Sequence, residues 1–254
     1  MAGRYIEHDG HLASLACLNY SDVYPQYKTV ALHKAWGAKM RAHIGEVKRP
    51  DPADKDADRR LKIAYLSPDL QRHPCAYFIE PFLRNHDRAV VHVTVYQCNP
   101  GGDDYTEMLK GLADEWVYAA VMPEAMIAEH IRKSEIDIAV DLAGQMVMRP
   151  ASKHPSQVLA HYPAPVQVTW IGYPNTTAVD CIHYRLVDSI TDPPDTQQWH
   201  CEELWRLPDC FLCFAPPQVL PPITTKHKTL LSPPTCSYPP QHRGHTNIRG
   251  EIDV

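Results

Sequence analysis

The stretch LKIAYLSPDLQRHPCAYF, from Leu61 to Phe78, decides the fold expected for this chain. Leu61–Leu66 is an apolar run typical of a buried strand, and a Ser-Pro pair ends it. A polar segment with Asp69 and His73 follows, before an apolar helical run that starts at Cys75. Open α/β sheets bind ligands at such places, because the carboxyl ends of the strands and the free N–H groups of a helix start meet there. An ordinary strand–helix connection fits the spacing equally well.

Strand-like and helix-like segments alternate along the rest of the chain. Apolar or β-branched runs predict further strands at 90–98, 136–142, 166–171, 181–187 and 204–214. The spacing of apolar residues predicts helices within 1–47, over 75–83, over 105–116 and from Pro123 onward. Gly37 and Gly45 are the expected helix ends in the first segment. Strands that alternate with helices predict an α/β fold with a mostly parallel sheet covered on both faces.

Changes in composition divide the chain into four expected parts. Residues 1–47 form a helical segment, and residues 48–60, with prolines and alternating charges, form a solvated linker. Residues 61–214 form the α/β domain. Residues 215–254 have paired prolines and little periodicity, which predicts a disordered tail or sequence of aberrant origin.

Charge and hydropathy exclude several classes of partner. The net charge of −5, with a pI near 6.3, argues against a nucleic-acid surface. No stretch approaches the roughly 18 apolar residues of a membrane helix, and the amino terminus lacks the pattern of a secretion signal. Eight scattered cysteines therefore predict reduced thiols in the nucleus or cytoplasm.

Cofactor motifs are missing from the sequence. There is no GxGxxG and no Walker loop, so the sheet lacks the usual dinucleotide or NTP fingerprint. Cys210 and Cys213 form a lone CxxC in a strand-like run, and the histidines show no HExxH. We expect no metal and no cofactor.

Several long strings, in the same order, resemble one family, the intracellular O-linked sugar transferases, which comprise the O-GlcNAc transferases and the plant SPINDLY proteins. The strings are NYS at 19–21, LHKAWG at 32–37, SPDLQRHPCAYF at 67–78, IDIAVDLAG at 136–144, PAPVQVTWIGYPNTT at 163–177, and DPPD with EELWRLPDCFLC within 192–213. The sequences of the last two strings, at 163–177 and within 192–213, resemble the SPINDLY branch more than the animal branch. The resemblance covers Leu15 to Phe214.

This resemblance implies a GT-B glycosyltransferase whose N-terminal catalytic lobe is Rossmann-like and follows a superhelix of tetratricopeptide repeats. Such enzymes transfer GlcNAc from UDP-GlcNAc, or in the SPINDLY branch fucose from GDP-fucose, to Ser/Thr hydroxyls of nuclear and cytosolic proteins, with inversion and without metal. The SPINDLY likeness also implies a role in gibberellin signalling. The N-lobe carries much of the acceptor side, and the second lobe binds most of the sugar nucleotide. The oligomeric state stays open.

The resemblance also implies site residues. Asp69 and His73 match an acid and a histidine at the reaction centre, which are candidate catalytic bases. On acidity alone His73 is the better base, because free histidine titrates near 6.5 and aspartate near 3.9. The competing interpretation is a histidine that caps the following helix. Asp69 would orient His73, stabilise its cation, or balance charge on the sugar.

Two further places match substrate-binding segments of the family. Gly172, Tyr173 and Pro174 match a turn that lines the cleft near the transferred sugar, with a plain strand-ending turn as the alternative. Asn19 and Tyr20 match a segment that approaches the site, although animal members have histidine there.

Two departures from the family pattern affect the expected activity. After Gly144 the loop carries Gln145, Met146 and Val147 in place of the family's polar residues. After Phe214 the family continues through a second lobe, and this sequence continues with the proline-rich tail. We expect a truncated chain that lacks activity by itself. Two alternatives stay open: a non-catalytic module that binds acceptor proteins, and an unrelated Rossmann-like domain with a metabolic ligand.

Overall fold

A computed structural model of the chain describes residues 15–20, 24–56, 58–147 and 151–216. The predicted tail at 215–254 lies outside these ranges apart from its first two residues, as does the start of the predicted helical segment. The strands are β1 Leu61–Ser67, β2 Val91–Gln97, β3 Glu115–Tyr118, β4 Ile138–Asp141, β5 Val166–Thr169, β6 Tyr184–Asp188 and β7 Glu203–Leu207. The main helices are α1 Gln26–Ile44, α2 Pro74–Asn85, α3 Asp104–Lys110, α4 Glu124–Lys133 and α5 Pro155–Leu159.

All seven strands belong to one parallel sheet, in the order β3-β2-β1-β4-β5-β6-β7. The chain builds outward from β1 in one direction, then returns to the other side of β1 and builds outward again. This arrangement is the doubly wound, Rossmann-like order. The predicted α/β class and the parallel sheet are confirmed.

Apolar residues that alternate along the strands supply two cores, one on each face of the sheet. Ala64 and Leu66 of β1 face a core shared with α1, α4 and α5, where Trp36 is buried. Tyr65 faces the opposite core, which α2 and α3 cover with side chains such as Ile79. Because both faces are covered, apolar residues of the central strands point to both sides of the sheet.

The helix predicted over 105–116 is wrong in its second half. Helix α3 ends at Lys110, and Gly111 follows as its C-cap. Trp116 lies in β3, opposite Val95, and its indole N–H donates to Oε1 of Gln97 over 3.1 Å. Apolar residues happened to continue at helical spacing beyond Gly111, but pairing with β2 satisfies the backbone of 115–118 instead.

The two glycines expected to end the first helix behave differently. Gly45 has φ +85° and follows Ile44 as the C-cap of α1, as predicted. Gly37 lies inside α1, so the predicted stop there is wrong. A Cβ at Gly37 would lie 2.0 Å from the carbonyl oxygen of Ala178. The glycine is therefore needed for close packing of α1 against the segment after β5.

Candidate active site

The central crevice of the sheet lies where the strand order reverses, between β1 and β4. Leu66 near the end of β1 pairs with Asp141 at the end of β4. The connections that leave β1 and β4 pass on opposite sides of this point, which opens a crevice at their carboxyl ends. The predicted residues Asp69 and His73 are in the segment that leaves β1.

His73 is the N-cap of α2, and Pro74 occupies the first helical turn. Its Nδ1 accepts a hydrogen bond from the backbone N–H of Cys75 over 3.3 Å. Nε2 points the other way and lies 3.9 Å from Oδ1 of Asp69. Asp69 is mostly buried, whereas His73 is partly open to solvent. The structure therefore brings the acid and the imidazole together, and it also makes His73 the helix cap that the competing interpretation described.

The cap bond determines which ring nitrogen of His73 carries the proton. A backbone N–H only donates, so Nδ1 must present its lone pair to Cys75. The neutral ring then carries its proton on Nε2, facing Asp69. In this arrangement the Nε2–H of His73 faces the Asp69 carboxylate, but the 3.9 Å between the two atoms is longer than a hydrogen bond. For Nε2 to accept a proton, the other proton must move to Nδ1 and the cap bond must open.

Cys75 completes a cluster of three side chains that could hold a metal ion, because its Sγ, one ring nitrogen of His73 and a carboxylate oxygen of Asp69 all lie within 4.8 Å of one another. Burial, together with the nearby Asp69 charge, raises the pKa of the Cys75 thiol to about 12, so the sulfur is a neutral thiol at pH 7. A metal on Nε2 would also displace its proton and oppose the cap bond. The bonding in the cluster fits an acid–imidazole pair better than a metal site.

Asp141 is a fully buried carboxylate at the end of β4. Oδ1 accepts hydrogen bonds from the backbone N–H groups of Ala143 and Gly144 over 2.8 and 2.9 Å. Oδ2 has no hydrogen-bond partner among the described residues. Burial raises the pKa of Asp141 to about 6 despite the two N–H donors. The carboxylate shapes the turn after β4. Asp141 is not among the predicted site residues, although an acid that ends an apolar strand is a detectable signal.

Two glycines let the segment after β5 pack against this turn. A Cβ at Gly172 would lie 2.0 Å from the carbonyl oxygen of Leu142. Gly144 has φ +54°, and a Cβ there would lie 2.4 Å from Cβ of Tyr173. No side chain fits at either position without movement of the backbone or of the tyrosine. Gly172 and Tyr173 therefore lie beside the turn that Asp141 shapes, next to the carboxyl end of β1.

Tyr173 is buried, and its hydroxyl group forms hydrogen bonds with Asn19 and His33. The hydroxyl lies 2.6 Å from Nε2 of His33 and accepts a hydrogen bond from Nδ2 of Asn19 over 3.0 Å. His33 is buried in α1, and its Nδ1 donates to the carbonyl of Thr29 over 2.7 Å. Burial lowers the pKa of His33, so the ring is neutral and its Nε2 accepts from the tyrosine.

Asn19 ties its own segment to the segment after β5. Its Nδ2 donates to Tyr173 and to the carbonyl of Ala16, and its Oδ1 accepts from Nδ2 of Asn175 over 3.0 Å. These bonds use both N–H donors of the amide and one of the two acceptor sites of its oxygen. Asn19 therefore lies where a positioning role is expected, and direct contact with a ligand would require these bonds to be exchanged.

The remaining predicted residues lie at the surface. Pro174 is exposed at the rim, beside Tyr173, and Tyr20 is 82 % exposed. Gln145, which replaces a polar family residue, is buried and donates through Nε2 to the carbonyl of Thr177 over 2.9 Å. The roles assigned to Asp69, His73, Gly172, Tyr173, Pro174, Asn19 and Tyr20 stay predictions.

In the described part of the chain, no helix has the length and apolar character needed to cross a membrane.

Comparison with known proteins gives the following similarities. The family model described as glycosyl transferase family 41 matches residues 42–232. A protein of Arabidopsis thaliana named probable UDP-N-acetylglucosamine–peptide N-acetylglucosaminyltransferase SPINDLY is 38 % identical over 208 residues, which cover 80 % of this chain and 22 % of that protein. The SPINDLY protein of Oryza sativa subsp. japonica is 39 % identical over 206 residues, with the same coverage.

A solved structure of a point mutant of the O-GlcNAc transferase from Thermobaculum terrenum has a TM-score of 0.77 and 34 % identity. The match covers 84 % of this chain and 40 % of that chain. The chain therefore spans about a fifth of the length of the curated relatives, and 40 % of the solved one.

Proposed function

We propose, from the premise that this chain belongs to glycosyl transferase family 41, that it forms the Rossmann-like N-terminal catalytic lobe of a GT-B protein O-glycosyltransferase. The proposed reaction moves one sugar, with inversion, from a nucleotide donor to a Ser or Thr hydroxyl of nuclear and cytosolic proteins. The donor is UDP-GlcNAc or GDP-fucose, and the names of the relatives support the first of these. Membership of the family removes the alternative of an unrelated Rossmann-like domain.

The observation that carries the proposal is the pair of Asp69 and His73, 3.9 Å apart at the carboxyl end of β1. The acceptor hydroxyl must lose a proton as its oxygen attacks the anomeric carbon. In the capped state of His73, the Asp69 carboxylate is the group that can accept this proton, and the Nε2–H of His73 can stabilise an adjacent oxygen. If the cap bond opens, Nε2 of His73 becomes the base. Either route is worth about 10²–10⁴ in rate.

The segment after β5 supplies the neighbouring wall of the proposed cleft. Pro174 is exposed at its rim, while the buried Tyr173 is anchored to His33 and Asn19. The backbone of Gly172 lies against the carbonyl of Leu142. A wall that is held in this way keeps a sugar oriented toward the Asp69–His73 pair. In the proposed enzyme, the second lobe of the GT-B architecture binds the diphosphate of the sugar-nucleotide donor.

A transfer assay with the purified chain tests the function. The chain is incubated with UDP-GlcNAc or GDP-fucose and a Ser/Thr peptide, and mass spectrometry detects addition of one N-acetylhexosamine or one deoxyhexose. Peptide binding is measured in parallel. Where transfer occurs, Asp69→Asn and His73→Asn should each lower it by about 100-fold or more, whereas Glu129→Gln on the exposed face of α4 should leave it unchanged.

The outcomes separate the remaining hypotheses. Transfer that survives both site substitutions would overturn the proposed chemistry. Binding of the peptide without transfer would favour the non-catalytic, acceptor-binding module. A chain that neither binds nor modifies acceptor peptides would contradict both.

A further inference from the structure

The segment that joins β5 to β6 contains a loop, residues 172–178, that is buried except around Pro174 and has no helix or strand of its own. Thr176, Thr177 and Ala178 are buried, so their backbone polar groups cannot rely on solvent. Most connecting loops run over the surface for this reason. The partners that satisfy this loop are therefore important for its conformation.

Backbone strain brackets the loop. Ile171, immediately before it, has φ +65°, and Ala178, at its end, has φ +54°. Left-handed backbone is unusual for any residue other than glycine, and it is particularly unfavourable for a β-branched residue such as isoleucine. Such a conformation persists only where surrounding contacts impose it, and it is concentrated at functional sites.

Arg185, on β6, supplies one set of these contacts. One guanidinium nitrogen donates to the carbonyl of Asn175 over 2.8 Å, and another donates to the carbonyl of Tyr173. The side chain is 8 % exposed. The rigid fork of the guanidinium suits two carbonyl groups that are held at a fixed separation.

Glu202, just before β7, supplies the other set. One carboxylate oxygen accepts from the backbone N–H of Thr177 over 2.6 Å and from its hydroxyl group. The second oxygen accepts from the hydroxyl of Thr176 over 2.7 Å. Glu202 is 4 % exposed. Arg185 and Glu202 are therefore two buried residues of opposite charge that both form hydrogen bonds with the 172–178 loop.

We propose that Arg185 and Glu202 are positioning residues that lock the 172–178 loop in its strained conformation. Arg185 fixes the first half of the loop through its carbonyl groups, and Glu202 fixes the second half through its donors. The consequence for catalysis, that the wall beside Asp69 and His73 is rigid before any ligand binds, rests on the proposed function. Locking of the loop itself does not.

Amide hydrogen exchange of the purified chain, followed by mass spectrometry of peptides that cover 170–183, tests the lock. We expect Arg185→Lys and Glu202→Gln each to speed exchange there by about tenfold or more, because each removes bonds that hold the loop closed. The matched control is Arg206→Lys on β7. Arg206 also donates to two loop carbonyls, those of Asp192 and Pro193, so its loss should speed exchange only around them.

Two results would overturn the proposal: unchanged exchange over 170–183 in both variants, or an increase that spreads evenly over the whole sheet. If Glu202→Gln does not fold, Thr177→Val replaces it, because valine removes one donor to Glu202 and keeps the backbone N–H. Faster exchange confined to the loop in that variant would support the lock, and unchanged exchange would count against it.

A transfer assay then tests the catalytic consequence separately. Under conditions where the variant remains folded, Glu202→Gln should lower kcat by about tenfold or more, since a misplaced wall costs orientation of the reactants. Arg206→Lys should leave kcat unchanged. If the wild-type chain shows no transfer, which the assignment of the donor diphosphate to a second lobe allows, peptide binding tests the proposed function and hydrogen exchange still decides whether the loop is locked. Loss of the lock without loss of kcat would overturn the positioning role.

Discussion

The hydroxyl oxygen of Tyr173 lies 2.6 Å from Nε2 of His33, although 140 positions separate the two residues in the sequence. This contact joins α1 to the wall of the candidate site. It explains why α1, predicted as a segment preceding the α/β domain, packs on the sheet as part of its core. The same compact unit includes both residues.

Tyr173→Phe should destabilise the protein by about 1–3 kcal/mol, because it leaves Nε2 of His33 buried without its donor and removes an acceptor from Asn19. Urea unfolding, followed by circular dichroism, measures the change. The control is Tyr27→Phe, which removes a hydroxyl from an exposed position on α1 and should cost less than about 0.5 kcal/mol. Equal costs for the two variants would contradict a structural role for the Tyr173 hydroxyl.

Stability should fall as the pH is lowered through about 6.5, where free histidine takes up its proton. Burial lowers the pKa of His33, so the unfolded chain binds this proton more readily than the folded protein does. The contribution of His33 is therefore complete above pH 6.5 and is lost toward lower pH. Burial lowers the pKa of His200 and His183 as well, which adds to the same trend.

The share that belongs to His33 can be isolated with a substitution. His33→Gln should flatten the dependence of unfolding free energy on pH between about 7 and 5. The control is His43→Gln, at an exposed position near the end of the same helix. A pH dependence that is identical in all three proteins would exclude His33 as its source.

The fold was predictable because it depends on local patterns. The apolar run at Leu61–Leu66 and the β-branched run at 90–98 are strands, since buried parallel strands need apolar residues on both faces. The acid and histidine of the site lie in one short segment, so the sequence alone brought Asp69 and His73 together.

The supporting residues of the site were not predictable in this way. His33, Arg185 and Glu202 act through contacts with residues that are distant in sequence, and no local pattern marks such a partner. The predicted helix end at Gly37 is wrong for the same reason. The carbonyl of Ala178, which leaves no room for a side chain at position 37, lies in a distant loop. Trp116 was misplaced because helical spacing and strand pairing compete there, and only the neighbouring β2 decides between them.

Asp141→Asn should become progressively more stabilising, relative to wild type, as the pH rises from about 4 to 7. The folded-state pKa of Asp141 is raised from 3.8 to about 6, so the folded protein retains a proton that the unfolded chain releases. The wild type therefore loses stability over this range. A shift of about two units corresponds to about 3 kcal/mol, and asparagine does not titrate.

The measurement for Asp141 is the difference in unfolding free energy between the variant and the wild type at several pH values, which cancels the histidine contributions. Asparagine keeps an oxygen for the N–H groups of Ala143 and Gly144. Asp180→Asn, at an exposed position beside Arg41, is the control. A difference for Asp141→Asn that is constant from pH 4 to 7 would contradict a raised pKa.

The observed role of His73 as helix cap and its proposed role as a reacting group can be separated by substitution. Asparagine is a good N-cap and lacks the imidazole, whereas alanine lacks both functions. His73→Ala should therefore cost about 1 kcal/mol of stability through loss of the bond to the Cys75 N–H, and His73→Asn should cost a few tenths at most. Both should lose sugar transfer to the same extent. If His73→Asn retained transfer, the imidazole would have no part in the reaction, and the geometry at the start of α2 would be a matter of capping alone.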